Sequence, residues 1–231
     1  MTKAYSAVFI DWDDTLWDFK ANAYVALEKA YEKHGLQHYF DSFQHFYTLY
    51  ERRNKELWAE YAQEKISKDE LQKERFIYPF SMVGHKDEML SERVGTDFLE
   101  LTIQQNNLVK DAADIMQYMA QKYPIVIVSN GFKEVQYRKI ASSGLTPYIS
   151  HVVLSEEVGC QKPNKQIFEY ALTLVGKQPS EVIMIGDNIE TDIKGAAMMG
   201  MDTIYLSDKE PLTTDYPTHT VRALREIRQI I

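Results

Sequence analysis

Two aspartates, Asp11 and Asp13, stand two residues apart directly after a short apolar run, Ala-Val-Phe-Ile. On an extended chain, side chains at this spacing lie on the same side, roughly 6 to 7 Å apart. Two carboxylates at such a distance can act on one substrate, one as a nucleophile and the other as a general acid and base. Asp187 follows a later apolar run in the same way. Three converging carboxylates repel one another, so the pattern predicts a bound cation.

The other polar groups at the ends of apolar runs suit a phosphorylated substrate. Ser129, Asn130 and Gly131 follow one run, and Lys162 lies in the loop after the next. A hydroxyl, backbone N–H groups and one ammonium can all bind phosphoryl oxygens. Oxygen ligands without His or Cys favour Mg²⁺, which commonly pairs with phosphate. These residues predict phosphoryl transfer through an aspartyl-phosphate, which divides hydrolysis into two steps.

The polar groups can meet only if one scaffold brings the ends of the runs to one edge. Short β-branched runs are typical of strands buried on both faces of a parallel sheet. These runs are 7–10, 125–128, 152–154, 182–185 and 203–206. Helical patterns cover 111–122, 133–143 and 164–175. The alternation predicts an α/β fold with a doubly wound, Rossmann-like parallel sheet, whose ligands bind beyond the carboxyl ends of the strands.

Residues 17–106 have a different pattern, without a strand-like run. Aromatic and aliphatic side chains recur there at three- and four-residue steps, which predicts helices packed around a common interior. These side chains include Tyr24, Leu27, Tyr31, Phe43, Phe46, Tyr47, Tyr50, Leu57, Trp58 and Tyr61. We therefore expect an all-helical cap, 17–106, inserted after the first strand of a core formed by 1–16 and 107–231.

The amino-acid composition restricts the classes of molecule that this protein could bind. The chain has 231 residues and a net charge of −8, from 26 Lys plus Arg and 34 Asp plus Glu. This acidic balance disfavours a nucleic acid polymer as the partner, because phosphate backbones are bound by clustered basic residues. No window approaches the ~18 apolar residues of a membrane span. A single cysteine, Cys160, and an N-terminus without a signal-peptide pattern predict a cytoplasmic protein.

The motifs occur in a recognisable order: Asp-x-Asp-x-Thr, Ser-Asn, Lys-Pro and Gly-Asp-x-x-x-x-Asp, each after an apolar run. This set resembles the haloacid dehalogenase (HAD) superfamily, in which a helical cap lies between the first two motifs. The resemblance implies that Asp11 is the nucleophile and Asp13 the general acid and base. It also implies that Ser129 binds the phosphate and that Lys162 positions it.

The resemblance extends to the metal site and to the reaction. It implies that Mg²⁺ is bound by Asp11, Asp187 and the backbone carbonyl of Asp13, with Asp192 and Thr15 in supporting roles. Dehalogenases of the superfamily lack an acid at the second aspartate, so the acid at position 13 favours a phosphatase or a phosphomutase.

Over nearly its full length the chain is also similar to the bacterial house-cleaning pyrimidine 5′-nucleotidases of this superfamily. The similarity rests on Asn54-Lys55-x-Leu57-Trp58-x-x-Tyr61, Ile66-Ser67, Leu71, Arg75-Phe76, Ser129-Asn130-Gly131-Phe132 and Ser155-Glu156-Glu157-Val158-Gly159. It implies a nucleoside 5′-monophosphate as the substrate. The substrate-binding residues expected on this basis are Asn130, Gly131, Trp58, Tyr61 and Arg75.

Two positions depart from the superfamily pattern. Trp12 is bulkier than the usual residue and is expected to pack behind the sheet. Asp14 replaces a glycine that is common there.

Other functions remain open at this stage. The same core residues would serve a sugar-phosphate or phosphoglycolate-type phosphatase, or a phosphomutase that retains the phosphoryl group on a bisphosphate intermediate. A non-catalytic binding module is a more remote alternative, which the concentration of carboxylates disfavours. The expected partner is a small phosphorylated molecule, and the sequence indicates no oligomeric state.

Overall fold

The fold consists of two compact units, seen in a computed structural model that describes residues 4–207 and 215–231. One unit comprises Met1–Phe19 and Asn106–Ile231, and the other comprises Lys20–Gln105. The sequence analysis placed the start of the helical unit at residue 17. In the structure this unit begins at residue 20, because the turn after the first strand belongs to the sheet unit.

The first unit contains one six-stranded sheet in which every pairing is parallel. The strands are β1 (Ala7–Ile10), β2 (Ile125–Ser129), β3 (His151–Leu154), β4 (Val182–Gly186), β5 (Asp202–Leu206) and β6 (His219–Val221). Their spatial order is β3-β2-β1-β4-β5-β6. The five predicted strands are all present, and the sequence analysis missed β6.

Both faces of the sheet are covered, which explains why its strands are continuous apolar runs. Successive side chains of a strand point to opposite faces. Val8 and Ile10 accordingly lie in one buried cluster, whereas Ala7 and Phe9 lie in another. Trp12 is fully buried in the first cluster, as expected from the sequence.

Helices connect the strands of this unit. They are α5 (Ala112–Ala120), α6 (Lys133–Ser142), α7 (Ser155–Val158), α8 (Lys165–Val175) and α9 (Lys194–Met198). A π-helical turn, Ile189–Ile193, precedes α9. Short 3₁₀ turns complete the unit at Thr146–Tyr148, Pro179–Glu181 and Leu224–Gln229.

The strand order determines where a ligand can bind. From β1 the chain adds β2 and β3 on one side, and then β4, β5 and β6 on the other. The connections therefore leave β1 and β4 in opposite directions, which opens a crevice beyond the carboxyl ends of these two strands. Asp11 directly follows β1 and Asp187 directly follows β4, so both lie at this switch point.

The second unit is entirely helical over its described residues. Its helices are α1 (Phe19–Lys33, whose first residue belongs to the sheet unit), α2 (Phe43–Ala62), α3 (Lys68–Met82) and α4 (Glu88–Ile103), with a 3₁₀ turn at Leu36–His38. A capping box starts α3, because Ser67 accepts a bond from the Glu70 N–H and Glu70 accepts one from the Ser67 N–H.

Aromatic rings form much of the interior of the helical unit. Tyr50, Phe76 and Phe98 are buried, with ring centroids 5.3 to 5.6 Å apart. The rings of Tyr24 and Phe43 contact each other, with centroids 5.0 Å apart, which joins α1 to α2. The helical periodicity of the sequence thus reflects packing within this unit. Among the described residues, no helix combines the length and apolar character needed to cross a membrane.

Candidate active site

A tight turn after β1 positions the first two aspartates. The Asp11 N–H donates to the Ile185 carbonyl at 2.9 Å, which fixes Asp11 beside β4. Asp14 has φ of 59°, in the left-handed region, and its N–H donates to the Trp17 carbonyl. Asp tolerates this conformation better than most residues, which explains how it stands where the superfamily commonly has glycine.

Three carboxylates converge at the switch point. Asp11, Asp187 and Asp192 each offer one oxygen within 4.8 Å of the others. The Thr15 hydroxyl lies 3.2 Å from Asp11 Oδ2 and 3.3 Å from Asp187 Oδ1, so it links the first two. The donor set consists of oxygen atoms only, which fits a hard divalent cation such as Mg²⁺.

Lys162 is buried among these carboxylates, with 2% of its side chain exposed. Its Nζ lies 2.6 Å from Asp11 Oδ1, 2.7 Å from Asp192 Oδ1 and 2.7 Å from the Val128 carbonyl. An ammonium has three N–H donors, and these three acceptors match them. Lys162 therefore joins the ends of β1 and β2 to the π-helical turn. A phosphoryl oxygen could bind it only by sharing or replacing one of these acceptors.

The π-helical turn brings Asp192 inward. Asp192 is buried, and its Oδ2 accepts a bond from the Asn188 N–H at 3.2 Å. Its side chain lies so close to Gly186 that a Cβ at that position would overlap the carboxylate. The resemblance implied that Asp192 supports the metal or Lys162, and the structure places it in direct contact with Lys162.

We predict that Gly186→Ala lowers stability by about 1–3 kcal/mol, because the added methyl group overlaps Asp192 in a closely packed site. Urea unfolding measures the change. Gly84→Ala measures the separate cost of backbone strain, about 1–2 kcal/mol, since nothing lies within 4 Å of a Cβ there and only its φ of +73° opposes the change. A Gly186→Ala protein as stable as the wild type would contradict this account of the turn.

Residues after β2 supply further polar groups. The Ser129 hydroxyl accepts a bond from the Gly131 N–H at 3.1 Å. Asn130 binds the backbone of Lys162 twice: its Oδ1 accepts from the N–H at 2.8 Å, and its Nδ2 donates to the carbonyl at 3.0 Å. The Asn130 side chain is therefore engaged in holding the Lys162 loop.

Asp13 is bound by two side chains that the sequence analysis did not select. Gln136 Nε2 donates to Asp13 Oδ2 at 2.7 Å, and Lys139 Nζ lies 2.8 Å from Asp13 Oδ1. Both donors come from α6 and are buried. Within the sequence, a Gln and a Lys three residues apart resemble an ordinary exposed helix face, so no local signal identified them.

Burial and neighbouring charges shift the pKa values of Asp11 and Lys162. Burial raises the pKa of Asp11 to about 7, and the Asp192 carboxylate adds to the rise while Lys162 opposes it. Burial alone would lower the pKa of Lys162, but Asp11 and Asp192 outweigh it and raise this pKa above its ordinary range. Lys162 is therefore a permanent cation, whereas the proton affinity of Asp11 depends on the charges placed beside it.

The expected substrate-binding residues of the helical unit lie on α2 and α3. Trp58 and Tyr61 are in ring contact at 5.7 Å. Arg75 is buried, with its guanidinium carbon 5.4 Å from the Phe76 ring centroid and 5.3 Å from that of Phe98. Burial lowers the pKa of Arg75.

This fold and this carboxylate site define a class of enzyme, and residues 5–200 match the model of the haloacid dehalogenase-like hydrolases. The chain belongs to this family and is a hydrolase, which confirms the family expected from the sequence.

Several curated relatives are similar over nearly the whole chain. The HAD-hydrolase YfnB of Bacillus subtilis is 30% identical, covering 99% of this chain and 96% of its own. Pyrimidine 5′-nucleotidase YjjG of Escherichia coli is 30% identical, covering 97% of this chain and 96% of its own. Pyrimidine 5′-nucleotidase PynA of Streptococcus pneumoniae is 30% identical, covering 96% of this chain and 93% of its own. These names agree with the expectation of a phosphatase.

Solved structures agree with the fold. YfnB of Bacillus subtilis bound to magnesium superimposes with a TM-score of 0.89 at 27% identity, covering 99% of each chain. A dehalogenase superimposes with a TM-score of 0.76 at 19% identity, covering 100% of this chain and 99% of its own. The second likeness shows the fold alone.

Proposed function

We propose that this protein is a cytoplasmic, Mg²⁺-dependent phosphomonoesterase that hydrolyses nucleoside 5′-monophosphates through an aspartyl-phosphate. One observation carries the proposal: the buried Asp11 carboxylate lies between Lys162 on one oxygen and the Thr15–Asp187 pair on the other. A carboxylate at a sheet's switch point, with a cation on one side and further carboxylates on the other, suits attack on a phosphoryl group.

In the first step, Asp11 attacks phosphorus and the bond to the leaving oxygen breaks. Asp13, two residues away, donates a proton to that oxygen. In the second step, Asp13 takes a proton from water, which attacks the aspartyl-phosphate and releases inorganic phosphate. Ser129 and Lys162 hold phosphoryl oxygens or the groups that position them.

Asp11, Asp187 and the Asp13 backbone carbonyl would hold Mg²⁺. When bound, the ion neutralises charge on the phosphoryl group and on the carboxylates around it. The oxygen-only set at this place is the support for this assignment. Asp192 is the less suitable ligand, because its Oδ1 already contacts Lys162 and its Oδ2 accepts the Asn188 N–H.

The proposed nucleotide specificity is supported by the two full-length relatives named as pyrimidine 5′-nucleotidases. We assign base and sugar recognition to the helical unit, with Trp58 offering a stacking surface. Tyr61 and Arg75 were also expected to bind the substrate, but both are buried within this unit, so we assign them no direct substrate contact.

We expect Mg²⁺-dependent phosphate release from a panel of nucleoside monophosphates, sugar phosphates and phosphoglycolate, with the highest kcat/KM for pyrimidine 5′-monophosphates. Phosphate is measured with Mg²⁺ and with EDTA, and EDTA should abolish turnover. Preference for a sugar phosphate would overturn the nucleotide assignment. Recovery of the phosphoryl group on a second hydroxyl of the substrate, in place of free phosphate, would indicate a phosphomutase.

We also expect Mg²⁺ affinity to fall as the pH is lowered. The metal binds the ionised Asp11 carboxylate, and a pKa of about 7 in the metal-free protein means that protons compete with the metal below this pH. Calorimetric titration at pH 8 and at pH 6 should show affinity weaker by up to about tenfold at the lower pH. In Asp11→Asn this dependence should flatten. Equal affinity of the wild type at both pH values would refute the competition.

A further inference from the structure

The carboxylate of Asp13 is held at both of its oxygens by one helix. Gln136 Nε2 donates to Oδ2 at 2.7 Å and Lys139 Nζ contacts Oδ1 at 2.8 Å. Residues three apart share a helix face, so α6 presents the amide and the ammonium side by side.

The same amide also reaches the expected phosphate ligand. Gln136 Nε2 donates to Ser129 Oγ at 2.8 Å, so its two hydrogens connect Asp13 to Ser129. Gly131 makes this possible, because a Cβ there would overlap the Gln136 amide. One side chain thereby fixes the spacing between the proposed acid and base and the proposed phosphate site.

Lys139 is held equally firmly. Lys139 is 4% exposed, and its Nζ lies 4.4 Å from the Trp17 ring centroid and 5.3 Å from that of Phe19. Burying an ammonium is costly unless it is paired, and cation–π contacts compensate only in part. Among the described residues, Asp13 is the carboxylate that pairs with Lys139, and its side chain retains 27% exposure.

From this geometry we infer that Gln136 and Lys139 are positioning residues for Asp13, which hold its carboxylate at the place from which it exchanges protons with the leaving oxygen and with water. The inference rests on the proposed function, since it needs Asp13 to act as the acid and base. A purely structural ion pair would not require a second buried donor on the other oxygen, nor one shared with Ser129.

The test uses the near-isosteric variants Gln136→Met and Lys139→Met of the full chain with a nucleoside 5′-monophosphate. We expect kcat to fall about 10- to 100-fold in each, because a small misplacement of a catalytic group costs about this much. For Lys139→Met, KM should change less than about twofold, since Lys139 contacts neither the substrate nor a proposed phosphate ligand. Gln166→Met and Lys133→Met, at exposed helix positions, are the matched controls and should retain wild-type kcat.

A double-mutant cycle separates positioning from a general loss of structure. In an Asp13→Asn background, Lys139→Met should reduce kcat by less than about twofold, because the group it positions is already absent. Gln136→Met should cost less there than in the wild type, and what remains is the loss of its bond to Ser129. Lys139→Arg keeps a cationic donor and should recover activity relative to Lys139→Met. Thermal unfolding verifies that each variant is folded. If Lys139→Met does not fold, Lys139→Arg still tests the positioning role.

p-Nitrophenyl phosphate supplies a second readout, because its leaving group departs without a proton. Both methionine variants should release about one equivalent of p-nitrophenolate rapidly and then turn over slowly, since only the second step still needs Asp13 as a base. Additive losses in the cycle, or an equal slowing of the first turnover, would overturn the positioning role. Full activity of Asp13→Asn would instead overturn the proposed function as well, so the two failures are distinguishable.

Discussion

Asp11→Asn should reduce phosphate release by about 10⁴-fold or more, the largest effect expected of any single change in this chain. An amide of the same shape cannot form the aspartyl-phosphate, so the two-step route is lost. The fold should survive, because Lys162 keeps its contacts with Asp192 and the Val128 carbonyl. Steady-state phosphate release with the preferred substrate of the panel measures the loss.

Asp114→Asn provides the matched control for this substitution. Asp114 lies on an exposed position of α5 in the same unit and is remote in sequence from every motif, so its change should leave the rate unaltered. Wild-type activity in Asp11→Asn would show that another group attacks phosphorus. A comparable loss in Asp114→Asn would show instead that the assay reports general damage to the sheet unit.

The second large effect is expected for Lys162→Met. Removing the ammonium leaves the buried carboxylates of Asp11 and Asp192 without their shared cation, at a cost of about 3–5 kcal/mol in the free energy of unfolding. Activity should fall about 10³-fold, because Asp11 also loses the donor that orients its Oδ1. Urea unfolding and phosphate release report the two consequences separately.

Mg²⁺ helps to separate these two consequences for Lys162→Met. A divalent cation bound to Asp11 should restore part of the lost stability, since it replaces the missing positive charge. It should not restore the rate. Lys165→Met, which removes an exposed lysine paired with Glu169, is the control and should change stability by less than about 0.5 kcal/mol. Lys162→Met with wild-type stability and rate would refute the role of this buried cluster.

Much of the fold and the centre of the site could be predicted from the sequence, for a local reason. In a parallel sheet the functional group directly follows its strand, so Asp11, Ser129 and Asp187 are marked by the apolar runs before them. The short apolar runs of the sheet unit also differ from the three- and four-residue spacing of the helical unit, so the sequence distinguishes the two units. These signals need no knowledge of tertiary contacts.

The remaining features depend on contacts between distant segments. Strand β6 has only three residues, and its His-Thr-Val sequence carries no apolar run. Asp192 was expected only in a supporting role, and its burial depends on a π-helical turn that the local sequence does not indicate. Gln136 and Lys139 gain their meaning only when α6 packs beside the turn that contains Asp13, which no local pattern records.

The order of the strands also has a consequence for biosynthesis. Strand β1 lies in the middle of the sheet and pairs with residues 125–127 on one side and 182–185 on the other, yet it leaves the ribosome before both of these neighbours. The whole helical unit, Lys20–Gln105, emerges before either neighbour exists. The apolar strand β1 therefore stays unpaired until its neighbours have been synthesised, and such long-range pairing makes folding slow and prone to aggregation. The turn at Asp11 can be completed only when β4 has been made, because the Asp11 N–H donates to the Ile185 carbonyl.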